Sequence, residues 1–348
     1  MCMADMSPQV PRAGVDYPKT FGQFQEWFST DEACFEYLAR LRWAEGFVCP
    51  KCGGREYWRT GAGLWMCKAC SRRTSVTAGT IFDRTRTPLR TWFAAIWFVT
   101  SQKNGVSALG LQRVLGFGSY ETAWAWMHKL RRAMVRPDRE LLSGLVEVDE
   151  SFIGGVHRGM PGIGPDKISV LIAAEHLDHN RIGRIRLEPG PTDRRLALVK
   201  FGQRVVAPGS TIRTDGARQL RRFADLGYQH EYFTQLGSDI PAHVNMPAVH
   251  MAASQLKRWI DGTLHQGISR EQLAYYLDEF TFRFNRRTST SRGLLFYRLL
   301  QQATNTDPAP LKDLVIPHDS SGGQRPQSTA QGPIWPDQRL HVIGSQTS

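Results

Sequence analysis

Four cysteines are the first residues whose spacing implies chemistry. Cys49, Cys52, Cys67 and Cys70 form two C-x2-C pairs separated by fourteen residues. Two such knuckles can bring four thiolates around one tetrahedral Zn²⁺ at about 2.3 Å, and the glycine after Cys52 suits the tight turn of a knuckle. With every position taken by protein, that ion would be structural. Cys2 and Cys34 lie outside the pattern and read as incidental.

A second group is acidic. Within LVEVDESFI, Asp149 is expected at the end of an alternating strand, and Asp215 closes TIRTD, just before a glycine that can open the next helix. Carboxylates at strand ends can converge at one sheet edge, and a converging pair suits a hard divalent cation such as Mg²⁺. Two such ions about 3.5 to 4 Å apart clamp the attacking and leaving oxygens of a phosphoryl transfer. Either aspartate alone reads as a turn or cap residue. Glu147 and Glu150 flank Asp149 and are assigned to the opposite pleat face, which makes them poorer ligands. Glu279, on a later helix, is a reserve ligand.

The stretch VHMAASQLKRW supplies a third pattern. As a helix it puts Val249, Ala252, Ala253, Leu256 and Ile260 on an apolar face and His250, Ser254, Lys257 and Asp261 on a second stripe. Read alone, that stripe is a solvated flank with one histidine.

The chain has 348 residues, 41% hydrophobic and 22% charged, and a net charge of +12. That is globular composition, and the excess of positive charge fits a polyanionic partner. Between Arg84 and Arg136 there are nine Lys or Arg against one acid, Glu121. Within this region GVSALGLQRVLGFGSYETAWAWMHKLRRAM has helix-turn-helix grammar: a helix from about Ser107 to Leu115, a Gly-Phe-Gly turn, and a second helix from Ser119 or Tyr120. Trp124, Met127 and Leu130 are available for its core, and Lys129, Arg131 and Arg132 for phosphates. The bland alternative is a helical bundle with a solvated basic face.

These groups must be positioned by regular elements. FGQFQEWFSTDEACFEYLARLRW reads as one or two amphipathic helices with Ser29, Thr30 and Asp31 as caps. A helical run follows from Leu89 to about Met134. Strands are expected at 145–153, 167–175, 181–188 and 211–215, with a helix capped by Thr192 between the last two. Helices resume from Pro247 through Leu300. The expected organisation is a flexible arm (1–18), N-terminal helices with a zinc ribbon (19–83), a basic helix-turn-helix-like region (84–140), an α/β catalytic core with a mixed sheet (141–302) and a disordered polar tail (303–348). No apolar run is long enough for a membrane span, and the N-terminus lacks a signal-peptide pattern, so the expected location is cytoplasmic and nucleoid-associated.

In its order of zinc ribbon, basic helices, strand-Asp, strand-Asp and helix, the chain resembles the zinc-ribbon DDE transposases of bacterial insertion sequences, the ISXO-like group. The resemblance covers roughly residues 20–300 and is carried locally by GLVEVDESFIGG, TDGARQL, LKRW followed by DGTLHQGIS, LDEFTFRFNRR and SRGLLFYRLL. It implies a multidomain α+β chain whose core is RNase H-like. In that family the third site position is Glu, Asn or His, with a basic residue seven positions on, which His250 and Lys257 match. The resemblance implies catalysis by Asp149, Asp215 and His250 holding Mg²⁺ or Mn²⁺. Lys257 lies about 10.5 Å further along the helix, where it can hold a phosphate, with Arg258 beside it. An imidazole is neutral and softer than a carboxylate, so Mn²⁺ is expected to serve at least as well as Mg²⁺. The expected partners are double-stranded DNA, as terminal inverted repeats and target, and a second copy of the chain. Two rival readings are a non-catalytic zinc-ribbon DNA-binding regulator and an RNase H-like nuclease that cuts without joining.

Overall fold

The computed structural model describes residues 10–136, 138–154, 167–178, 181–191, 196–233, 242–264 and 268–315. Helices α1 (Phe21–Trp27) and α2 (Asp31–Arg42) start where hydroxyl caps stand: Thr20 Oγ1 accepts from Gln23 N, and Thr30 Oγ1 from Ala33 N. The short strands β1 (Tyr57–Arg59), β2 (Trp65–Cys67) and β3 (Arg73–Thr74) form an antiparallel ribbon. Helices α3 (Leu89–Ser101), α4 (Ala108–Leu115) and α5 (Tyr120–Ala133) follow. Ser107 and Ser119 cap α4 and α5 through Gly110 N and Thr122 N, so the expected helix-turn-helix boundaries hold within a residue.

The chain then builds one five-stranded sheet from β4 (Leu145–Ile153), β5 (Ile168–Leu177) and β6 (Arg181–Pro189), helix α6 (Ala197–Val205), β7 (Thr211–Asp215), helix α7 (Arg222–Asp225) and β8 (Gln229–Phe233). The order is β6-β5-β4-β7-β8, with β6–β5 and β5–β4 paired antiparallel and β4–β7 and β7–β8 paired parallel. After it come α8 (Ala242–Asn245), α9 (Pro247–Trp259), α10 (Leu273–Phe284), α11 (Arg292–Thr304) and α12 (Leu311–Val315). The expected strands are all present. β8 was not foreseen: its QHEYF lacks the apolar alternation that marks a strand, and as an edge strand it is held by backbone pairing to β7. Thr192, the expected cap of α6, lies outside the described residues.

The strand pleat sorts the core into two layers. Val146 and Val148 point with Leu171, Ala173 and Ile212 toward α6 and α7. Ile153, Val170, Ile172 and Ala174 point the other way, against Ala248, Val249, Ala252 and Leu256 of α9 and Leu277 and Phe280 of α10.

Three expected boundaries move. Residues 10–18 are not a free arm: Tyr17 is buried, Tyr37 Oη donates to Asp16 O at 2.6 Å, and a Cβ on Gly293 would stand 1.8 Å from Pro18 O, so only glycine admits this docking. The expected tail begins too early, because α11 runs to Thr304 and Leu314 of α12 is buried beside Tyr275. Nor is there a seam at residue 83. One apolar cluster joins α1–α5 and the ribbon to α11, with Phe296 ringed by Phe24, Phe28, Phe93 and Trp97 at 5.5 to 5.8 Å. Among the described residues no helix is long and apolar enough to cross a membrane.

Candidate metal and catalytic sites

In the ribbon the sulfur of Cys49 lies 3.6 Å from that of Cys70, and Cys52 lies 3.6 Å from Cys67. All four sulfurs fall within 4.8 Å of one another. A tetrahedron with 2.3 Å metal bonds has edges of about 3.8 Å, so the cage fits Zn²⁺ without rearrangement. Backbone bonds from Gly53 N to Cys49 O and from Ser71 N to Cys67 O close the two knuckles. Cys34 sits apart, buried in α2, and burial pushes its thiol up to about 12, so it is an inert core residue. Cys2 lies outside the described residues.

Asp149 and Asp215 occupy the α9 face of the sheet. Hydrogen-bonded pairing of β4 with β7 runs to Glu147 and Arg213, and the same register continued by two residues sets Asp149 level with Asp215. Asp149 Oδ1 accepts from Glu150 N at 2.7 Å, and Asp215 Oδ1 from Ala217 N at 3.2 Å. Neither aspartate has a cationic partner among the described residues. Burial raises the Asp149 carboxyl to about 6, with the Asp215, Glu150 and Glu147 carboxylates adding to the rise and the Glu150 N–H opposing it. Such a carboxylate gains most from a cation that replaces its proton.

Glu147 requires a correction. Side chains alternate with period two, so Glu147 shares the face of Asp149, and only Glu150 points away. Glu147 is fully buried, and its Oε2 accepts from Val249 N at 2.9 Å while Oε1 accepts from His176 Nδ1 at 2.6 Å. Helix α9 has Pro247 in its first turn and no side-chain cap of its own, so a strand carboxylate satisfies its open N–H. The bond anchors the turn that carries His250 over β4, two residues from Asp149. His250 is half-buried, whereas Lys257 and Arg258 are exposed two turns on. Among the described residues the cysteine quartet alone gathers three or more such ligands within 4.8 Å; Asp149, Asp215 and His250 share a face of the sheet without closing to that distance.

Two further assignments are overturned by burial. Glu279 is no reserve ligand: Arg131 Nε donates to it at 2.9 Å and Arg283 Nη2 lies at 2.8 Å. Burial pushes its carboxyl up, but the two guanidiniums outweigh this and hold it below the usual range. Arg131 is therefore not a phosphate ligand, being 2% exposed and committed to Glu279. Lys129 and Arg132 are half-buried, with Lys129 Nζ 6.0 Å from the Trp92 ring centroid. Met127 and Leu130 are buried as expected, but it is Trp126, stacked on Trp92 at 3.4 Å, that takes the central place, and Trp124 packs on His128. The solvent-facing part of α5 is its first turn, Tyr120 to Thr122, the end that a recognition helix presents to base edges.

Comparison with known proteins agrees with this architecture. Residues 29–73 match the transposase zinc-ribbon domain, and residues 141–285 match the ISXO2-like transposase domain. By both segments the chain belongs with the ISXO2-like, zinc-ribbon transposases. An uncharacterized protein in transposable element ISH50 of Halobacterium salinarum is 26% identical over 282 residues, covering 74% of this chain and 91% of that protein. The transposase match ends at Phe284–Asn285, so α11 falls outside the matched domain, consistent with its place in the other apolar core.

Proposed function

We propose that this transposase-family chain binds the terminal inverted repeats of its element, cleaves a DNA strand at the element end and joins the freed 3′-hydroxyl to target DNA. The observation that carries this reading is a pair of aspartates without cationic partners among the described residues, level with each other on one face of a β6-β5-β4-β7-β8 sheet, under the helix that bears His250. Asp149, Asp215 and His250 would hold Mg²⁺ or Mn²⁺, which supplies charge neutralisation at the scissile phosphate and activation of water. The protein's share is positional. Glu147 fixes the first turn of α9, and Glu150 N orients the Asp149 carboxylate toward the same face. Lys257 and Arg258 lie exposed along α9 to hold the phosphate backbone. The helix-turn-helix and the zinc ribbon bind the duplex, with Lys129 and Arg132 contributing charge at the end of α5 away from its reading turn. Two copies pair the two element ends.

The test is a strand-transfer assay on a labelled element end with Mn²⁺ or Mg²⁺. Joined product from the wild type, abolished in Asp149→Ala, Asp215→Ala and His250→Ala, is the expected result. Cleavage without joining would make the protein a nuclease, and binding without either would make it a regulator. Loss of product in both aspartate variants but not in His250→Ala would remove the imidazole from the ligand set.

A further inference from the structure

The end of β7 carries more than Asp215. Gly216 and Ala217 lead directly into a 3₁₀ turn, Arg218–Arg221, that continues into α7. Leu220 and Phe223 of this segment are buried against Val199, Phe201 and Ile212 on the α6 side of the sheet. The inward register of those two residues turns Arg218, Arg221 and Arg222 outward. All three are exposed, and none makes an ion pair among the described residues. With Leu196, Gln219 and Asp225 they line an open groove of about 760 Å³. Arg221 also leans on the β8 ring of Tyr232, its guanidinium carbon 5.4 Å from the centroid.

This cluster differs from other arginines of the same domain. Arg184 binds Glu175 and Glu140, Arg204 binds Glu188, and Arg213 binds Glu231. Three guanidiniums against the single carboxylate of Asp225 leave a surplus of positive charge that a phosphodiester backbone complements. The cluster is also near the chemistry. Arg218 stands three positions after Asp215, at most about 11 Å of extended chain.

Its side of the molecule identifies which DNA it would hold. The helix-turn-helix packs on the α9 and α10 side: Arg131 of α5 reaches Glu279 of α10, and Asn104 O, just before α4, accepts from Trp259 Nε1 and Thr263 Oγ1 at 2.8 Å each. DNA gripped by those modules approaches the aspartates from that side. Joining needs a second duplex at the same carboxylates, and the α6 and α7 side is the one left for it. We propose that the groove of Arg218, Arg221 and Arg222 binds the sugar-phosphate backbone of target DNA. The inference rests on the transposase reading above.

The test compares wild type with the triple variant Arg218→Gln/Arg221→Gln/Arg222→Gln and with the corresponding triple lysine variant, which keeps the charge. Three quantities are measured: binding to a duplex that lacks the terminal repeat across a salt series, cleavage of the element end, and joining into a plasmid target. In the glutamine variant, repeat-free binding should fall at least tenfold, and its slope against log salt should shrink by about 2 to 3, near 0.9 per lost phosphate contact. Joining should fall at least tenfold more than end cleavage, and the lysine variant should recover most of both losses. Unchanged repeat-free binding, or equal losses of cleavage and joining, would overturn the assignment to target DNA. The two failures separate: a wild type that neither cuts nor joins overturns the transposase reading, whereas a glutamine variant that joins as well as wild type overturns the groove.

Discussion

Glu279 and Asp149 are both carboxylates withdrawn from water, and the chain treats them in opposite ways. Glu279 is locked between Arg131 and Arg283, and Arg283 also donates to the carbonyls of Val99 and Gln102 at the end of α3. Even the loop is fitted to it: a Cβ on Gly105 would stand 3.1 Å from Glu279 Oε1, and Gly105 has φ +86°. This triad joins α5, α10 and α3, and its charge is complete. Among the described residues Asp149 has carboxylates around it, a single backbone N–H and no guanidinium. A buried acid with its counter-charge built in is a strut; one left without it is where the proposed cation would sit.

Exchanging their fates tests the contrast. The largest effect is expected at the open site: Asp149→Ala or Asp215→Ala should lower the joining rate about ten-thousandfold or more, as for a group that acts only as part of a unit, with the fold retained. A joining rate within tenfold of wild type would place the catalytic cation elsewhere. At the closed site Glu279→Gln should cost about 3 to 4 kcal/mol in urea unfolding, because two buried guanidiniums lose their partner. A loss under about 1 kcal/mol would mean that the triad is dispensable to the joint between α5 and α10.

The pH dependence sharpens the comparison. Asp149 keeps its proton in the fold up to about pH 6, whereas an ordinary aspartate releases it near 3.8. The folded state therefore binds the extra proton between those values, and stability without divalent cation falls as pH rises through the window, by up to about 2 to 3 kcal/mol. Asp149→Asn should melt higher than wild type at pH 8 in buffer without Mg²⁺ or Mn²⁺, and the gain should shrink toward pH 4. Equal melting at both pH values would remove the strain assigned to Asp149. Cation binding runs the other way, weakening as pH falls below about 6. The smallest effect is expected at Glu147→Gln, which keeps an acceptor for Val249 N but loses the charge at the head of α9. A loss of about 1 kcal/mol and a joining rate down about tenfold are expected. Lost stability with full activity would confine Glu147 to holding the fold.

What could be read in advance was local. The C-x2-C pairs, the Ser107 and Ser119 caps and the strands that carry Asp149 and Asp215 each declare themselves within a few residues, although Asp149 sits in the middle of β4 rather than at its end, and only Asp215 closes a strand. Arg131 looked like a phosphate ligand because charge counting cannot see a partner 148 positions away. Glu147 was within reach, since its parity with Asp149 follows from the pleat alone, but its hydrogen bond to Val249 depends on where α9 lands. Strand β8 is paired by backbone and exposes polar side chains, so it leaves little pattern to read. The groove of Arg218, Arg221 and Arg222 needed the burial of Leu220 and Phe223 to show which way the arginines face.

The position of Phe296 has a consequence for synthesis. Its aromatic partners Phe24 and Phe28 leave the ribosome first, yet α11 is made after the entire sheet. At ordinary elongation speeds the nascent N-terminal layer waits on the order of 15 to 50 seconds for the ring that completes it. Throughout that interval Phe24, Phe28, Phe93 and Trp97 lack their central neighbour, and a chain stopped before Arg292 never acquires it. The N-terminal layer is thus the first to be translated and the last to be finished, so if it binds DNA as proposed, a truncated copy of the gene would yield an incomplete competitor for the same DNA.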